Sequence, residues 1–135
     1  MHGADRYAVE VLNIPSADLM RSAAKALFSA CEEFPFANDF VVLAGKGNNG
    51  GDGFCLAGLL KNAGKNVTVV AVYGTKNLSS DAEVMLSELD PQIVYDVQEK
   101  GVADAVSLVG NADVIVDCIF GTGFTGELKT DAKAL

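Results

Sequence analysis

The densest chemical signal in this chain is the run Gly45-Lys46-Gly47-Asn48-Asn49-Gly50-Gly51-Asp52-Gly53. It leaves the apolar stretch Phe40 to Ala44 and enters a helix-like stretch from Phe54 to Asn62. A strand that empties into a glycine turn and then a helix presents consecutive backbone N–H groups at a helix N-terminus, which attracts anions. Asn48 and Asn49 tolerate left-handed backbone and bring side-chain oxygens. Asp52, close to the helix start, suits the helix charge distribution and can hydrogen-bond a ligand hydroxyl. The run is not a Walker A loop, because it lacks the terminal G-K-[ST] and Lys46 comes too early. Asn48, Asn49 and Asp52 also separate it from the dinucleotide G-x-G-x-x-G fingerprint. A mechanical reading stands beside the chemical one: Gly50, Gly51 and Gly53 would turn the chain and let a helix approach a sheet.

Asp117 is the second informative acid. It lies inside the apolar stretch Asp113 to Phe120, directly before the loop Gly121-Thr122-Gly123-Phe124-Thr125-Gly126 and Glu127. An unpaired carboxylate there would cost several kcal/mol or take up a proton. A bound cation is one solution, with Asn49 and Asp117 as oxygen ligands beside the anion site. Such a pair permits potassium, sodium or magnesium. Capping of the following turn by Asp117 is the plainer alternative. Phe120 and Phe124 either close a ligand pocket or complete the core, Lys46 reads as a solvated lysine, and Tyr7, Tyr73 and Tyr95 read as packing residues. Met20 and Met85 lie on apolar helix faces.

The elements that must position these groups follow from periodicity. Asp5 to Leu12 reads as a short helix ending near Pro15. Ser16 can cap a helix over Ala17 to Cys31, with Leu19, Ala23, Ala26, Leu27 and Ala30 on its buried face. Phe54, Leu56, Ala57, Leu59 and Leu60 make the next helix, which Gly64 ends. Val67 to Val72 is β-branched and nearly continuous, as in a buried parallel strand. Ser79-Ser80-Asp81 opens another helix carrying Ala82, Val84, Met85 and Leu89. A short strand at Ile93 to Tyr95, a helix at Val102 to Leu108 and a strand at Asp113 to Phe120 follow. The start of a helix is expected from Glu127 to Leu135. Strands alternating with helices of this length imply a three-layer α/β/α sandwich with a mostly parallel sheet. Both glycine loops leave the carboxyl ends of strands, so they can face one crevice.

At 135 residues the chain fits one small domain able to bury a core. Half the residues are apolar and 21% are charged, which disfavours disorder. Ten basic against eighteen acidic residues, with no basic cluster, disfavour a nucleic-acid surface. Cys31, Cys55 and Cys118 are far apart and sit among apolar neighbours, as reduced cysteines do. His2 is the only histidine, so a His-based triad is excluded. With neither a signal peptide nor a span of eighteen apolar residues, no membrane association and a cytoplasmic location are expected.

Gly47 to Gly53 after its apolar strand, Val116-Asp117-Cys118-Ile119-Phe120-Gly121-Thr122-Gly123, and Asn13-Ile14-Pro15-Ser16 followed by Leu19-Met20 and Ala23 resemble the NAD(P)H-hydrate epimerase family. That family forms the amino-terminal domain of bifunctional nicotinamide-nucleotide repair proteins. The resemblance implies a Rossmann-like fold that interconverts the C6 epimers of hydrated NADH or NADPH. It assigns Asn48, Asn49, Gly50, Gly51 and Asp52 to one part of the substrate site. Gly121, Thr122, Gly123, Phe124, Thr125, Gly126 and Glu127 would form the second part. Asn49 and Asp117 would be side-chain ligands of a potassium ion. A homodimer formed through amino-terminal helices is implied, as is a fused or associated ADP- or ATP-dependent dehydratase domain. The pattern departs at Arg21, where an acidic residue is usual, and at Ala24, where glycine is common. Family members continue into an Asp-x-Pro-Ser-Gly segment that carries an acid/base aspartate and a serine of the potassium shell. The 1–135 chain is therefore expected to be a partial, truncated epimerase-like domain, impaired on its own. A non-catalytic nucleotide-binding or protein-interaction module of the same fold is the alternative.

Overall fold

The computed structural model describes residues 16–119 and 128–129. Helix α1 (Ser16–Cys31) is followed by strand β1 (Asp39–Ala44), helix α2 (Asn48–Asn62) and strand β2 (Asn66–Ala71). Helix α3 (Ser80–Ser87), a 3-10 turn at Pro91–Ile93 and strand β3 (Val94–Asp96) come next. Short helix α4 (Val97–Lys100), helix α5 (Val102–Gly110), strand β4 (Val114–Cys118) and the two-residue strand β5 (Leu128–Lys129) complete the order. The sheet runs β3-β2-β1-β4-β5 and is parallel except at β5. The chain steps outward from β1 through β2 to β3, then returns to place β4 on the other flank of β1. Such a reversal opens a crevice beyond the carboxyl ends of β1 and β4.

Strand β1 is buried on both faces, as its unbroken Phe-Val-Val-Leu-Ala run requires. Phe40, Val42 and Ala44 join Phe54, Leu56 and Leu60 of α2 with Met20, Ala24 and Leu27 of α1 in one cluster. Val41 and Leu43 meet Val70, Ile115 and Ala105 of α5 on the other face. Helices thus cover both faces, giving the α/β/α sandwich expected. Fully burying a side chain such as Phe54 or Leu56 contributes about 1.5–3 kcal/mol. Among the described residues no helix is long and apolar enough to cross a membrane.

Four sequence expectations shift. The buried stripe of α1 is Met20, Ala24, Leu27 and Cys31, whereas Ala26 is exposed and Leu19, Ala23 and Ala30 are only half-buried. The longer Met20 reaches Gly51 of α2, and that close contact sets the rotation of the helix. Helix α2 begins at Asn48 and not at Phe54, so most of the glycine run is helical. Strand β3 starts one residue later than read, because Asp90 caps a 3-10 turn through Pro91 to Ile93. Leu128 and Lys129 pair antiparallel with Val116 and Ile115, where a helix was expected. The open flank of β4 exposes backbone donors and acceptors, and pairing them outweighs local helix preference. Gly64, at φ +86°, ends α2 as anticipated. The short helix read at Asp5 to Leu12, together with His2, Tyr7 and Phe120, lies outside the described residues.

Candidate functional site

The glycines after β1 serve close approach, not left-handed backbone. None of Gly45, Gly47, Gly50, Gly51 or Gly53 has positive φ, and neither does Asn48 or Asn49. A Cβ on Gly45 would lie 2.5 Å from the Ile119 carbonyl oxygen, and one on Gly50 would run into the Gly45 carbonyl. A Cβ on Gly53 would meet Val42 at 2.9 Å and Cys118 at 3.0 Å. The first two turns of α2 therefore press directly onto the carboxyl ends of β1 and β4. The Gly45 N–H donates to the Cys118 carbonyl at 3.1 Å, which ties the two motif-bearing segments together.

Gly47 caps α2 with extended backbone, and the Gly51 N–H donates back to its carbonyl at 3.2 Å. The N–H groups of Asn48, Asn49 and Gly50 precede that bond, as the opening donors of a helix do. The Ser79 hydroxyl donates to Asn48 Oδ1 at 2.8 Å, while the Ser79 N–H donates to the Lys46 carbonyl at 3.0 Å. Ser79 also accepts from the Ala82 N–H and caps α3. One serine thus clamps the turn after β1 against the segment after β2. The sequence reading found Ser79 only as a helix opener.

Asp52 is half-buried near the start of α2, and burial pushes its carboxyl up to about 6. Asn49 is half-buried on the opening turn. Asp117 is also half-buried, and its Oδ1 accepts from the Ile119 N–H at 3.0 Å, which is the turn-capping role considered above. In register Asp117 stands beside Leu43, which places it on the α5 face of the sheet. Asn49 belongs to the helix layer of the opposite face. Both lie at the carboxyl edge, with the Gly45 backbone between their segments. The second loop, Gly121 to Glu127 with Phe124, lies outside the described residues. Among the described residues no group of three or more His, Cys, Asp and Glu side chains gathers.

Tyr73 departs from its packing reading: it is 45% exposed, just past the carboxyl end of β2. It helps line a cleft of about 300 Å³ beside Lys46. Asp96, buried at the end of β3, accepts from the Thr75 N–H and hydroxyl and from the Gln98 and Glu99 N–H groups. Burial pushes its pKa upward, but those four donors outweigh it and hold the carboxyl below its ordinary value. The signal for this region was present in the chain. Gly74 and Asn77 both take left-handed backbone, and they sit with two lysine-bearing turns after strands.

Residues 16–135 match the family described as YjeF-related protein N-terminus. The chain belongs to that family. The NAD(P)H-hydrate epimerase of Limosilactobacillus fermentum is 36% identical over 124 residues, covering 91% of this chain and 57% of the relative. The NAD(P)H-hydrate epimerase of Rhodopirellula baltica is 33% identical over 125 residues, covering 93% of this chain and 51% of the relative. The chain thus spans about half the length of these curated relatives. A crystal structure of a yeast protein, YNL200c, superposes with a TM-score of 0.74 at 24% identity, covering 97% of this chain and 58% of that one. That likeness supports the α/β/α fold. Within this YjeF-related domain the two departures are accommodated locally. Arg21 grips Glu88 with two hydrogen bonds of 2.9 Å, and Ala24 is fully buried under α2.

Proposed function

We propose that this chain carries a substrate-binding part of an NAD(P)H-hydrate epimerase, acting at C6 of hydrated NADH and NADPH. The observation that carries the reading is the glycine-faced start of α2, which bears Asp52 and is seated on the β1–β4 reversal, with Asp117 near the end of β4 on the other face of the sheet. Relatives of this family that bear the epimerase name support it.

Epimerisation needs the C6–O bond broken and remade on the other ring face. The ring nitrogen lone pair forms C=N⁺ as the hydroxyl leaves with a proton from an acid. Water then adds from the opposite side and returns a proton to the resulting base. Such a site must stabilise charge and move a proton more than it must supply a nucleophile. The opening N–H groups of α2 hold a phosphate of the substrate, which anchors the nucleotide. Asp52, which keeps its proton up to about pH 6, binds a substrate hydroxyl as donor or acceptor.

Asn49 and Asp117 are hard oxygen donors and suit an alkali or alkaline-earth cation. The two residues would hold a potassium ion, and Asp117 would do so while its Oδ1 accepts from the Ile119 N–H. The ion would add fixed positive charge next to the substrate phosphate. For the rest of the protein we propose a homodimer and an ADP- or ATP-dependent dehydratase partner for the same hydrates. The second proposal is supported by the Escherichia coli relative, named bifunctional, of which this chain matches 22%.

The test is to follow equilibration of purified R and S hydrate epimers by chromatography with the full-length gene product. Acceleration well above buffer is expected; a rate equal to buffer, for protein shown to be folded, overturns the proposal.

A further inference from the structure

The cleft beyond the carboxyl ends of β2 and β3 is not used by the glycine turn, yet it adjoins it through Lys46. Its lining includes Lys46, Tyr73, Thr75, Lys76, Asn77 and Gln98, enclosing about 300 Å³. Three features single it out. Tyr73 leaves nearly half its surface open at the end of a buried strand, where burial would be the default for so large a ring. Lys46 and Lys76 are exposed lysines brought to one cleft from the turns after two neighbouring strands. The floor is rigid: Ser79 fastens the far end of the segment to Lys46, and Asp96 anchors Thr75.

Asp96 spends both carboxylate oxygens on four donors, so its charge is already answered. Glu99 is exposed and is the competing negative charge. In a doubly wound sheet the dinucleotide straddles the strand reversal. Taking Asp117 at the end of β4 to mark the reactive half, the adenosine half falls over β2 and β3. An open aromatic ring offers a stacking surface for a base, and a lysine pair offers point charges for a phosphate.

We infer that this cleft takes the adenosine end of the substrate, with Tyr73 against the adenine and Lys46 and Lys76 on a ribose 2′-phosphate. The site then prefers NADPH hydrate to NADH hydrate. This rests on the epimerase reading and extends it to the choice between the two hydrates.

The probes are adenosine 2′,5′-bisphosphate and 5′-AMP, titrated calorimetrically into the full-length protein. The bisphosphate should bind about tenfold more tightly, the size of one added charge-assisted contact. In the double variant K46Q/K76Q the preference should fall below about threefold. Y73A should weaken both ligands alike, by about tenfold. Equal affinities, tighter binding of AMP, no binding of either ligand, or a preference that survives the double variant would each overturn the inference. Turnover of the two hydrates separates this from the function itself. Epimerisation of both hydrates without a bisphosphate preference leaves the enzyme reading standing and removes the cleft assignment. The expected preference in a protein that epimerises neither hydrate does the reverse.

Discussion

The two edges of the sheet use similar residues to opposite ends. At the amino edge Asp113 accepts from the Asn38 and Asp39 N–H groups at 3.0 Å each, and Asn66 donates to the Asp39 carboxylate. Lys65 donates to the Ala37 carbonyl at 2.8 Å. Every one of these groups is consumed in holding strands to loops. At the carboxyl edge backbone meets backbone so closely at Gly45 and Gly50 that neither has room for a Cβ, Gly51 and Gly53 are pressed by side chains, and Asp52 beside them is less committed. Asp52 is raised by burial, while Asp113 is lowered first by the Asn38 N–H and then by the Asp39 N–H. A carboxylate met by backbone donors is a fastener. One held half-buried with its acidity weakened is available for a ligand.

The sharpest way to break that contrast is at the glycines, where the largest effect is expected. Gly50→Ala drives a methyl group into the Gly45 carbonyl, a backbone neighbour that cannot rotate away. A loss of at least about 3 kcal/mol is expected, up to loss of cooperative unfolding. Gly47→Ala meets nothing within 4 Å and should cost under about 1 kcal/mol. Urea denaturation of the two variants measures both. Similar midpoints would show that the carboxyl edge is not held by close backbone approach.

Layer architecture was legible in the chain because periodicity and β-branched runs report burial directly. Val67 to Val72 and Asp113 to Phe120 mark β2 and β4 to within two residues at each end. The glycine run was legible as a close approach of chain to sheet after β1 but not as a helix. Gly50, Gly51 and Gly53 weaken helix propensity, and only their close approach to Gly45, to Met20, and to Val42 and Cys118 respectively explains their place inside one. The α1 face was misjudged for a related reason: equal apolar stripes at helical spacing cannot be told apart without knowing what they meet. The Tyr73 cleft was missed because the rule that sites gather at carboxyl strand ends was applied to β1 and β4 and not to β2. Ser79 and Asp96 act through partners 31 and 21 residues away, which local spacing does not reveal.

Asp117 tests whether the carboxyl edge holds a ligand or only a turn. Asp117→Ala removes the bond from the Ile119 N–H, about 1 kcal/mol of stability. It should also slow epimerisation by at least about tenfold and abolish stimulation by potassium. Asp117→Asn keeps an oxygen for the turn while removing the charge, so it should retain most of the stability and still respond poorly to potassium. If both variants match the parent rate with potassium present, Asp117 is a turn cap and nothing more.

The smallest effects are the pH dependences of Asp113 and Asp52, and they should run in opposite directions. Asp113 has a folded pKa below its ordinary 3.8, so its contribution is complete above that value and is lost as pH falls through the lower folded one. Asp113→Asn should therefore flatten the acid limb of the stability profile below about pH 4. Asp52 is raised from 3.8 to about 6, so the native state binds the extra proton between those values. Stability then declines as pH rises across that window and stays reduced above it. Asp52→Asn removes the penalty and should stabilise the protein at pH 7, with the gain vanishing below about pH 4. Solvent screening at a half-exposed carboxyl holds that gain to on the order of 1 kcal/mol. Unfolding midpoints measured from pH 3 to 8 would show the two variants diverging on opposite limbs. A gain from Asp52→Asn that persists at pH 3 would mean that improved packing, and not a displaced proton, separates this edge from the other.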